Sequence, residues 1–142
     1  MIFRDADPTD LTAIQRLLEN HQLPASDCGA HLSHFVVAED DNAIVAVGGF
    51  EHCGSAALIR SFAVANSHRG LGLAEQLFER VKAKALKGDI HQFYLLTTTA
   101  SHYFERLGFA ICDRADMPDS IKGTKQFSAL CPASATAMCL KL

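Results

Sequence analysis

The 142-residue sequence lacks the features that mark several large classes of protein. No apolar run approaches the roughly 20 residues that a membrane-spanning helix needs. The net charge is −3 and the basic residues are dispersed, which argues against nucleic acid or an anionic membrane as the main partner. The first five residues lack the charged-then-apolar pattern of a signal peptide. We therefore expect a cytoplasmic protein whose partner is neither nucleic acid nor membrane.

Cysteine occurs in a pattern that indicates neither disulfides nor a metal site. The cysteines are odd in number and widely spaced, and no two form a Cys-x-x-Cys pair. This usage is typical of a reduced protein, so we expect small buried hydrophobes at Cys28, Cys53, Cys112, Cys131 and Cys139. No His or Cys pair has metal-ligand spacing, and we predict no metal site. Surface or cap positions are the simplest interpretation of His21, His31, His34, His68, His91 and His102.

The hydrophobic pattern predicts one α/β domain that spans residues 1–142. The length suits a single domain, and 49% of the residues are hydrophobic. Apolar residues at helical spacing predict helices over residues 8–20 and 73–87, and shorter helices are expected near residues 28–33, 101–107 and 117–122. Apolar and β-branched runs predict strands over residues 1–4, 35–39, 43–50, 57–65, 91–99, 109–112 and 137–142.

The order of these elements predicts a mixed sheet. The strands between residues 35 and 65 form an antiparallel meander, whereas the strand–helix–strand unit over residues 57–99 is a parallel crossover. The fourth strand is apolar on both faces except for Arg60, so we expect it to be central and covered on both sides. Gly48-Gly49 within the third strand indicates a bulge or a close backbone approach.

A glycine-rich turn over residues 66–74 joins the fourth strand to the long helix. The first turn of a helix leaves backbone N–H groups unpaired, and the helix dipole makes that end partly positive. Gly70 and Gly72 remove the side chains that would keep a diphosphate from approaching, and Arg69 adds a positive charge. The pattern predicts a phosphate-binding site. In the alternative interpretation the two glycines serve only the geometry of the turn.

Two motifs carry a resemblance to a known family. Arg69-Gly70-Leu71-Gly72-Leu73-Ala74 matches a pyrophosphate motif of Arg or Gln, two residues, Gly, one residue, and Gly or Ala. Residues 100–109 match a second signature, an alanine followed by an aromatic-rich helix that ends in Gly-Phe. With the element order, these motifs resemble the GNAT superfamily of acetyl-CoA-dependent N-acetyltransferases. The resemblance implies an α/β (α+β) GNAT fold: a mixed central sheet of about seven strands, splayed between the fourth and fifth strands and flanked by about four helices.

The resemblance also implies how the cosubstrate acetyl-CoA binds. Backbone N–H groups of residues 70–74 would bind the pyrophosphate, and backbone groups of residues 62–64 would pair with the pantetheine arm like an added strand. Thr97 stands where the family often has asparagine. The implied cofactor-binding residues are Phe62, Ala63, Val64, Arg69, Gly70, Leu71, Gly72, Leu73, Ala74 and Thr97. Many GNAT proteins form dimers, so a homodimer is one expectation.

The acceptor is expected to be the amine of a small amino-acid-like molecule. Residues 58–61, 95–100 and 130–135 resemble small GNAT proteins encoded beside arsenic-resistance genes, which implies a role in resistance to arsenic or to a toxic amino acid. A related branch acetylates arsinothricin, a glutamate-like amino acid, but this sequence is similar to a different branch. Arg60 bears on the acceptor because a buried charge needs a partner. It either meets a buried carboxylate of the protein or points into the acceptor cavity and binds a substrate carboxylate.

Acetyl transfer to an amine needs a base for the amine and an acid for the leaving thiolate. Glu51, and less so His52, is the candidate base at the predicted end of the third strand, although a solvated hairpin end also explains both residues. Many GNAT enzymes carry the acid as a tyrosine four residues before the glycine of Gly-Phe, where this sequence has Phe104. Tyr103 is then the candidate acid or a packing residue, and the alternative acids are water or a hydroxyl of Thr97, Thr98 or Thr99.

Two other functions fit the resemblance. The missing tyrosine favours a GNAT-fold acyl-CoA-binding or sensor protein with little turnover. A protein or peptide N-acetyltransferase is the third hypothesis. Such enzymes usually need an open groove for the peptide, whereas Arg60 favours a small anionic acceptor.

Overall fold

The computed structural model describes residues 1–98, 100–124, 127 and 135–141. The strands within these residues are β1 (Ile2–Asp5), β2 (Phe35–Asp40), β3 (Ala43–Cys53), β4 (Ala56–Val64), β5 (Gln92–Thr97), β6 (Ala110–Ile111) and β7 (Thr136–Lys141). The α-helices are α1 (Leu11–Asn20), α2 (Leu73–Lys87), α3 (Ser101–Arg106) and α4 (Asp119–Lys122). Thr99, Cys131 and residues 130–134 of the arsenic-related resemblance lie outside the described part. No helix that is described combines the length and hydropathy needed to cross a membrane.

The seven strands form one mixed sheet in the order β1-β2-β3-β4-β5-β7-β6. The pairs β1–β2, β2–β3, β5–β7 and β6–β7 are antiparallel. Strands β4 and β5 are parallel, and their ladder contains the pairs Ala56–Gln92, Ala57–Phe93 and Leu58–Tyr94. This mixed, seven-stranded architecture confirms the fold class expected from the element order.

The chain divides into two compact units. The first contains Met1–Glu51 and Arg60–Lys84, and its core includes the buried residues Ile14, Leu17, Leu18, Cys28, Leu32, Phe35, Val37, Val47 and Ala63. The second contains His52–Ile59 and Ala85–Leu142, and its core includes Cys53, Ala56, Leu58, Tyr94, Leu96, Met117, Ile121, Ala135 and Ala137. That residues 1–142 make a single domain stays a prediction.

Helix α1 follows a 3-10 turn, Pro8–Asp10, so the predicted helix over residues 8–20 has two parts. The Asp7 side chain accepts a hydrogen bond from the Thr9 N–H (3.0 Å), and the Asp10 side chain accepts one from the Asp7 N–H (2.7 Å). This reciprocal cap satisfies N–H groups that the helix leaves unpaired. Arg4 donates to both carboxylate oxygens of Asp10, and this hydrogen bonding holds the pKa of the Asp10 carboxyl below its usual range. The second predicted helix is also a 3-10 segment, Cys28–His34.

Gly48 and Gly49 lie within β3, where aromatic rings approach the backbone closely. A Cβ built at Gly48 would lie 2.7 Å from the Phe62 ring, and one at Gly49 would collide with the ring of Phe35. Glycine is therefore required at both positions for packing. The register shift between β2 and β3 lies at Ala38 and Glu39, away from the glycines.

Candidate active site

The turn before α2 has the geometry that its sequence predicts. Gly70 and Gly72 have φ values of +79° and +74°, in the left-handed region that favours glycine. Turn geometry by itself therefore explains why both residues are glycine. In addition, a Cβ at either position would find no neighbouring heavy atom within 4 Å, so the surface beside the turn is open. This open surface lies at the N-terminus of a 15-residue helix, which is the general setting of an anion site.

The residues around the turn fit a bound diphosphate. Arg69 and Leu71 are exposed, whereas Leu73 is buried and anchors the first turn of α2. Ala74 follows at an intermediate position. An exposed guanidinium beside unpaired helical N–H groups supplies both charge and donors for phosphate oxygens. Open space, charge and N–H groups thus coincide where the sequence predicts the pyrophosphate.

A hydrogen-bond chain fixes the segment that leads into this turn. Nε2 of His68 lies 2.8 Å from Oδ2 of Asp40, and Nδ1 of His68 lies 2.7 Å from Oγ of Ser67. The hydrogen bond from His68 lowers the pKa of the Asp40 carboxyl. The chain of hydrogen bonds ties the 3-10 turn Asn66–His68 to the end of β2, and it involves a histidine that the sequence predicts to be a surface or cap residue.

The residues expected to pair with the pantetheine arm follow a strained position in β4. Ser61 has φ of +62°, a conformation that costs a non-glycine residue about 1–3 kcal/mol and persists only where the surroundings impose it. Next to it, the Phe62 ring packs on Phe78 with ring centroids 6.4 Å apart. Ala63 is buried and Val64 is half-buried. That residues 62–64 bind the arm through their backbone stays a prediction.

Arg60 is surrounded by carboxylates of the protein itself. Its Nη1 donates to Glu51 Oε1 and to Asp27 Oδ2, both at 2.6 Å, and its Nη2 donates to Asp27 Oδ1. Nε donates to Ser61 Oγ at 2.9 Å. Burial acts to lower the pKa of Arg60, but hydrogen bonding and the charges of Asp27 and Glu51 outweigh it and raise the pKa. Arg60 is therefore a charged residue with two ion-pair partners.

This geometry matches the first of the two environments expected for Arg60. The side chain of Arg60 is 0% exposed, and the guanidinium makes four hydrogen bonds within the protein. A substrate carboxylate therefore has no exposed guanidinium to bind at this position. Asp27 was not among the sequence candidates because it belongs to a segment without clear periodicity. Burial acts to raise the pKa of Asp27, but the hydrogen bond from Arg60 brings it below its usual range.

Glu51 lies inside β3, because the strand continues to Cys53 and does not end at residue 50 as predicted. Glu51 is only 5% exposed. Its Oε1 lies 3.6 Å from Nε2 of His31, whose side chain is 28% exposed. His31 is thus the most solvent-accessible member of a cluster that also contains Asp27, Glu51 and Arg60, which we call the Arg60 cluster. His52, the other base considered, is exposed, and its Nε2 lies 2.8 Å from the Gly54 carbonyl in the adjoining turn.

The Arg60 cluster has ligand atoms close enough for a metal ion, but Arg60 already occupies the carboxylate oxygens. Ligand atoms of Asp27, His31 and Glu51 lie within 4.8 Å of one another, and among the described residues no other group of three or more His, Cys, Asp or Glu meets that distance. The guanidinium of Arg60 already bridges the two carboxylates. A metal cation would have to displace the guanidinium, because Arg60 already donates hydrogen bonds to both oxygens of Asp27 and to Oε1 of Glu51. We therefore assign no metal to the cluster.

The candidate acid and its neighbours belong to the second unit. Phe104 is 9% exposed, and its ring meets those of Tyr103 and Phe109 edge-on at 5.5 and 5.8 Å. Arg106 lies with Cζ 5.5 Å from the Tyr103 ring, which suits a packing role for Tyr103. Thr97 Oγ1 accepts a hydrogen bond from the Ala100 N–H (3.0 Å). The chemical roles of Tyr103 and Thr97 stay predictions.

Comparison with known proteins identifies relatives of this fold. The family model described as "Acetyltransferase (GNAT) domain" matches residues 31–111. A Mycobacterium tuberculosis protein, solved in complex with CoA, matches with a TM-score of 0.84 and 19% identity over 100% of this chain and 99% of its own. N-acetylglutamate synthase from Neisseria gonorrhoeae, complexed with coenzyme A and N-acetyl-glutamate, matches with a TM-score of 0.85 and 19% identity. That match covers 99% of this chain and 35% of the synthase. A GNAT-family acetyltransferase from Staphylococcus aureus matches with a TM-score of 0.82 and 15% identity over 99% and 98% of the two chains.

Proposed function

Because the chain belongs to the GNAT acetyltransferase family, we propose that it transfers the acetyl group of acetyl-CoA to the amine of a small amino-acid-like acceptor. Family membership confirms two sequence-based expectations, the acetyl-CoA-dependent N-acetyltransferase class and acetyl-CoA as the cosubstrate. The acceptor and the residues that act on it are the proposal.

The observation that carries the proposal is the open glycine turn at the start of α2. Gly70 and Gly72 leave space beside it, and Arg69 is exposed next to it. We assign the pyrophosphate to the backbone N–H groups of residues 70–74 and to the Arg69 guanidinium. Bound acetyl-CoA supplies the activated acyl group, and the protein has to supply an acceptor site and a path for the proton.

The charge of the Arg60 cluster supports an amine as the acceptor. Asp27 and Glu51 contribute two negative charges and Arg60 one positive charge, so the cluster carries a net charge of −1 while His31 is neutral. A buried excess of negative charge attracts a cation, and an amine is an ammonium ion near neutral pH. The same charge disfavours a carboxylate beside the cluster. An amino-acid-like acceptor would therefore place its ammonium, and not its carboxylate, next to Glu51.

The experiment is a panel of acceptors assayed by release of free thiol from acetyl-CoA. It contains free amino acids, arsenic and phosphinic analogues of glutamate, simple amines and short peptides. The analogues test the hypothesis that the enzyme acts in resistance to arsenic or toxic amino acids, and glutamate is included because the Neisseria relative was solved with N-acetyl-glutamate. We expect turnover with small amino-acid-like amines. Turnover of peptides alone would overturn the proposed acceptor class.

A matched pair of variants tests the cosubstrate site. Arg69→Ala is expected to weaken the increase in melting temperature that acetyl-CoA causes, since a ligand that binds only the folded state stabilises it. Arg16→Ala removes an exposed charge from α1 and should leave that increase unchanged. If acetyl-CoA raised the melting temperature of both variants by the same reduced amount, the cause would be a general charge effect, and the assignment of Arg69 would be contradicted.

A sensor or acyl-CoA-binding role is the second candidate function. The observation that favours it is Phe104, a buried side chain that has no hydroxyl to protonate the leaving thiolate, where many GNAT enzymes have tyrosine. This role predicts stabilisation by acetyl-CoA without thiol release for any acceptor in the panel. Measurable turnover of one acceptor, dependent on enzyme concentration, would exclude it.

A further inference from the structure

We propose that His31 takes the proton from the acceptor amine, with Glu51 as the carboxylate that positions it. This inference rests on the proposed function. The sequence offered Glu51 as the base and interpreted His31 as a surface or cap residue. The exposure of His31 and the burial of Glu51 instead favour His31 as the base and Glu51 as the residue that positions it.

Glu51 is poorly placed to act as the base. Its side chain is 6% exposed, and its Oε1 already accepts a hydrogen bond from Arg60 at 2.6 Å. Asp27 is held by Arg60 through both of its oxygens. A proton on either carboxylate would remove its negative charge and weaken its charge-assisted hydrogen bond to Arg60, which disfavours that proton. Neither carboxylate of the cluster is therefore the natural proton acceptor.

His31 has the exposure and the chemistry that Glu51 lacks. Its side chain is 28% exposed, against 0%, 7% and 6% for Arg60, Asp27 and Glu51. Imidazole ordinarily gains and loses a proton near neutral pH, which suits a general base that works there. His31 also belongs to the same compact unit as the β4 segment expected to bind the pantetheine arm, and Arg60, its neighbour in the cluster, precedes Phe62 by two residues.

The charge balance of the cluster bears on His31 as a proton acceptor. With neutral His31 the cluster has a net charge of −1, and a proton on the imidazole brings it to zero. The charged groups nearest the imidazole are Glu51 from β3 and Asp27 before the 3-10 segment. Arg60 from β4 bridges these two carboxylates, and the buried thiol of Cys28 lies beside them. The Glu51 Oε1 lies 3.6 Å from Nε2, longer than a hydrogen bond, and its negative charge favours the tautomer with a proton on Nε2, which leaves Nδ1 to accept.

The proton transfer is a simple exchange of bonds. An N–H bond of the acceptor ammonium breaks, and a new N–H bond forms at Nδ1 of His31. The electron pair of the broken bond stays on the acceptor nitrogen, which becomes a neutral nucleophile. The imidazolium that results is stabilised by the adjacent Glu51 carboxylate.

The test compares His31→Gln with the wild-type enzyme, using the best acceptor of the panel and thiol release between pH 5.5 and 9. We expect His31→Gln to lower kcat by about 10²- to 10⁴-fold, the usual contribution of a general base, and to remove the acid limb of the pH profile. The increase in melting temperature caused by acetyl-CoA should be unchanged, which shows that the variant is folded. His91→Gln is the matched control, because His91 also faces a carboxylate, Asp89 at 3.1 Å, and should retain full activity.

Glu51→Gln tests the positioning role. It should lower kcat and leave the KM for acetyl-CoA unchanged, because the imidazolium formed in the reaction loses the carboxylate next to it. A role in folding alone would not lower kcat selectively in this way. Glu51→Asp should restore part of the activity.

Failure of the proposed function can be distinguished from failure of the proposed role of His31. If the wild-type protein binds acetyl-CoA but acetylates no amine, the proposed function fails and the role of His31 falls with it. If the wild-type protein is active and His31→Gln keeps both its rate and its acid limb, only the role of His31 is overturned. Activity that survives in His31→Gln but is abolished in Glu51→Gln and Glu51→Asp would identify Glu51 as the base.

Discussion

Replacement of Arg60 by methionine should destabilise the protein more than any surface substitution can. The change leaves Asp27 and Glu51, whose side chains are 7% and 6% exposed, without the cation that both of them face. Removal of one partner from a buried ion pair costs about 3–5 kcal/mol because the remaining charge is uncompensated. For a chain of this size that corresponds to a fall in melting temperature of roughly 6–20 °C. Methionine fills a similar volume, so the loss should not come from a cavity.

The assay is urea unfolding at pH 7 followed by circular dichroism, with two further variants. Arg16→Met replaces an exposed arginine of α1 and should change the free energy of unfolding by less than about 0.5 kcal/mol. The triple variant Asp27→Asn, Glu51→Gln, Arg60→Met removes all three charges together. It should be more stable than Arg60→Met alone, since loss of a complete buried ion group is often close to neutral.

Acid titration of the same variants tests how the stabilisation from the Asp27–Arg60 ion pair depends on pH. Arg60 holds the pKa of Asp27 below its usual value, so the stabilisation that this pair provides is present above the unfolded-state pKa, about 3.9, and is lost as pH falls through the lower folded-state value. The difference between wild type and Arg60→Met should therefore shrink as the pH falls below about 4. A cost below about 1 kcal/mol at pH 7, typical of an exposed pair, would refute the buried ion network and return Arg60 to the role of a substrate clamp.

Three further substitutions test other parts of the structure. Gly72→Ala forces a side chain into the left-handed region and into the open space beside the turn, so acetyl-CoA should bind more weakly by calorimetry; unchanged affinity would contradict the pyrophosphate assignment. Because Arg4 lowers the pKa of Asp10, stability that is present above about pH 4 should be lost as pH falls, and Asp10→Asn should flatten this part of the urea-unfolding profile. Gly49→Ala drives a Cβ into an aromatic ring and should cost about 1–3 kcal/mol, whereas Gly29→Ala, whose Cβ makes an ordinary contact at 3.5 Å, should cost little; equal stabilities would contradict the packing of β3.

The parts of the structure that could be predicted from the sequence are local ones. The helix over residues 73–87 was predicted at its observed bounds, because its apolar stripe and the glycine turn before it are contiguous in the chain. The positive φ angles of Gly70 and Gly72 likewise follow from the turn itself. The mixed sheet was predictable since a strand–helix–strand crossover sets the direction of two strands.

The errors arose where a distant residue decides the local structure. The sequence ended the third strand before Glu51, because a charged residue followed by histidine resembles a hairpin end. In the structure Arg60 compensates the charge of Glu51, and β3 continues to Cys53 with Glu51 buried. The segment around Asp27 had no clear period, and its structure depends on a guanidinium 33 residues away in the chain.

The same difference between local and long-range contacts separates the predicted cosubstrate site from the Arg60 cluster. The predicted pyrophosphate site would use backbone N–H groups of one turn, so a short motif is enough to predict it and with it the cosubstrate. The Arg60 cluster draws its members from three separate stretches of chain, residues 27–31, β3 and β4, and no spacing in the sequence connects these stretches. The groups of the Arg60 cluster lie outside the turn motif, so the motif alone predicts nothing about the acceptor. The acceptor of this enzyme should accordingly be sought through the charge of the Arg60 cluster, which favours an amine that arrives as a cation.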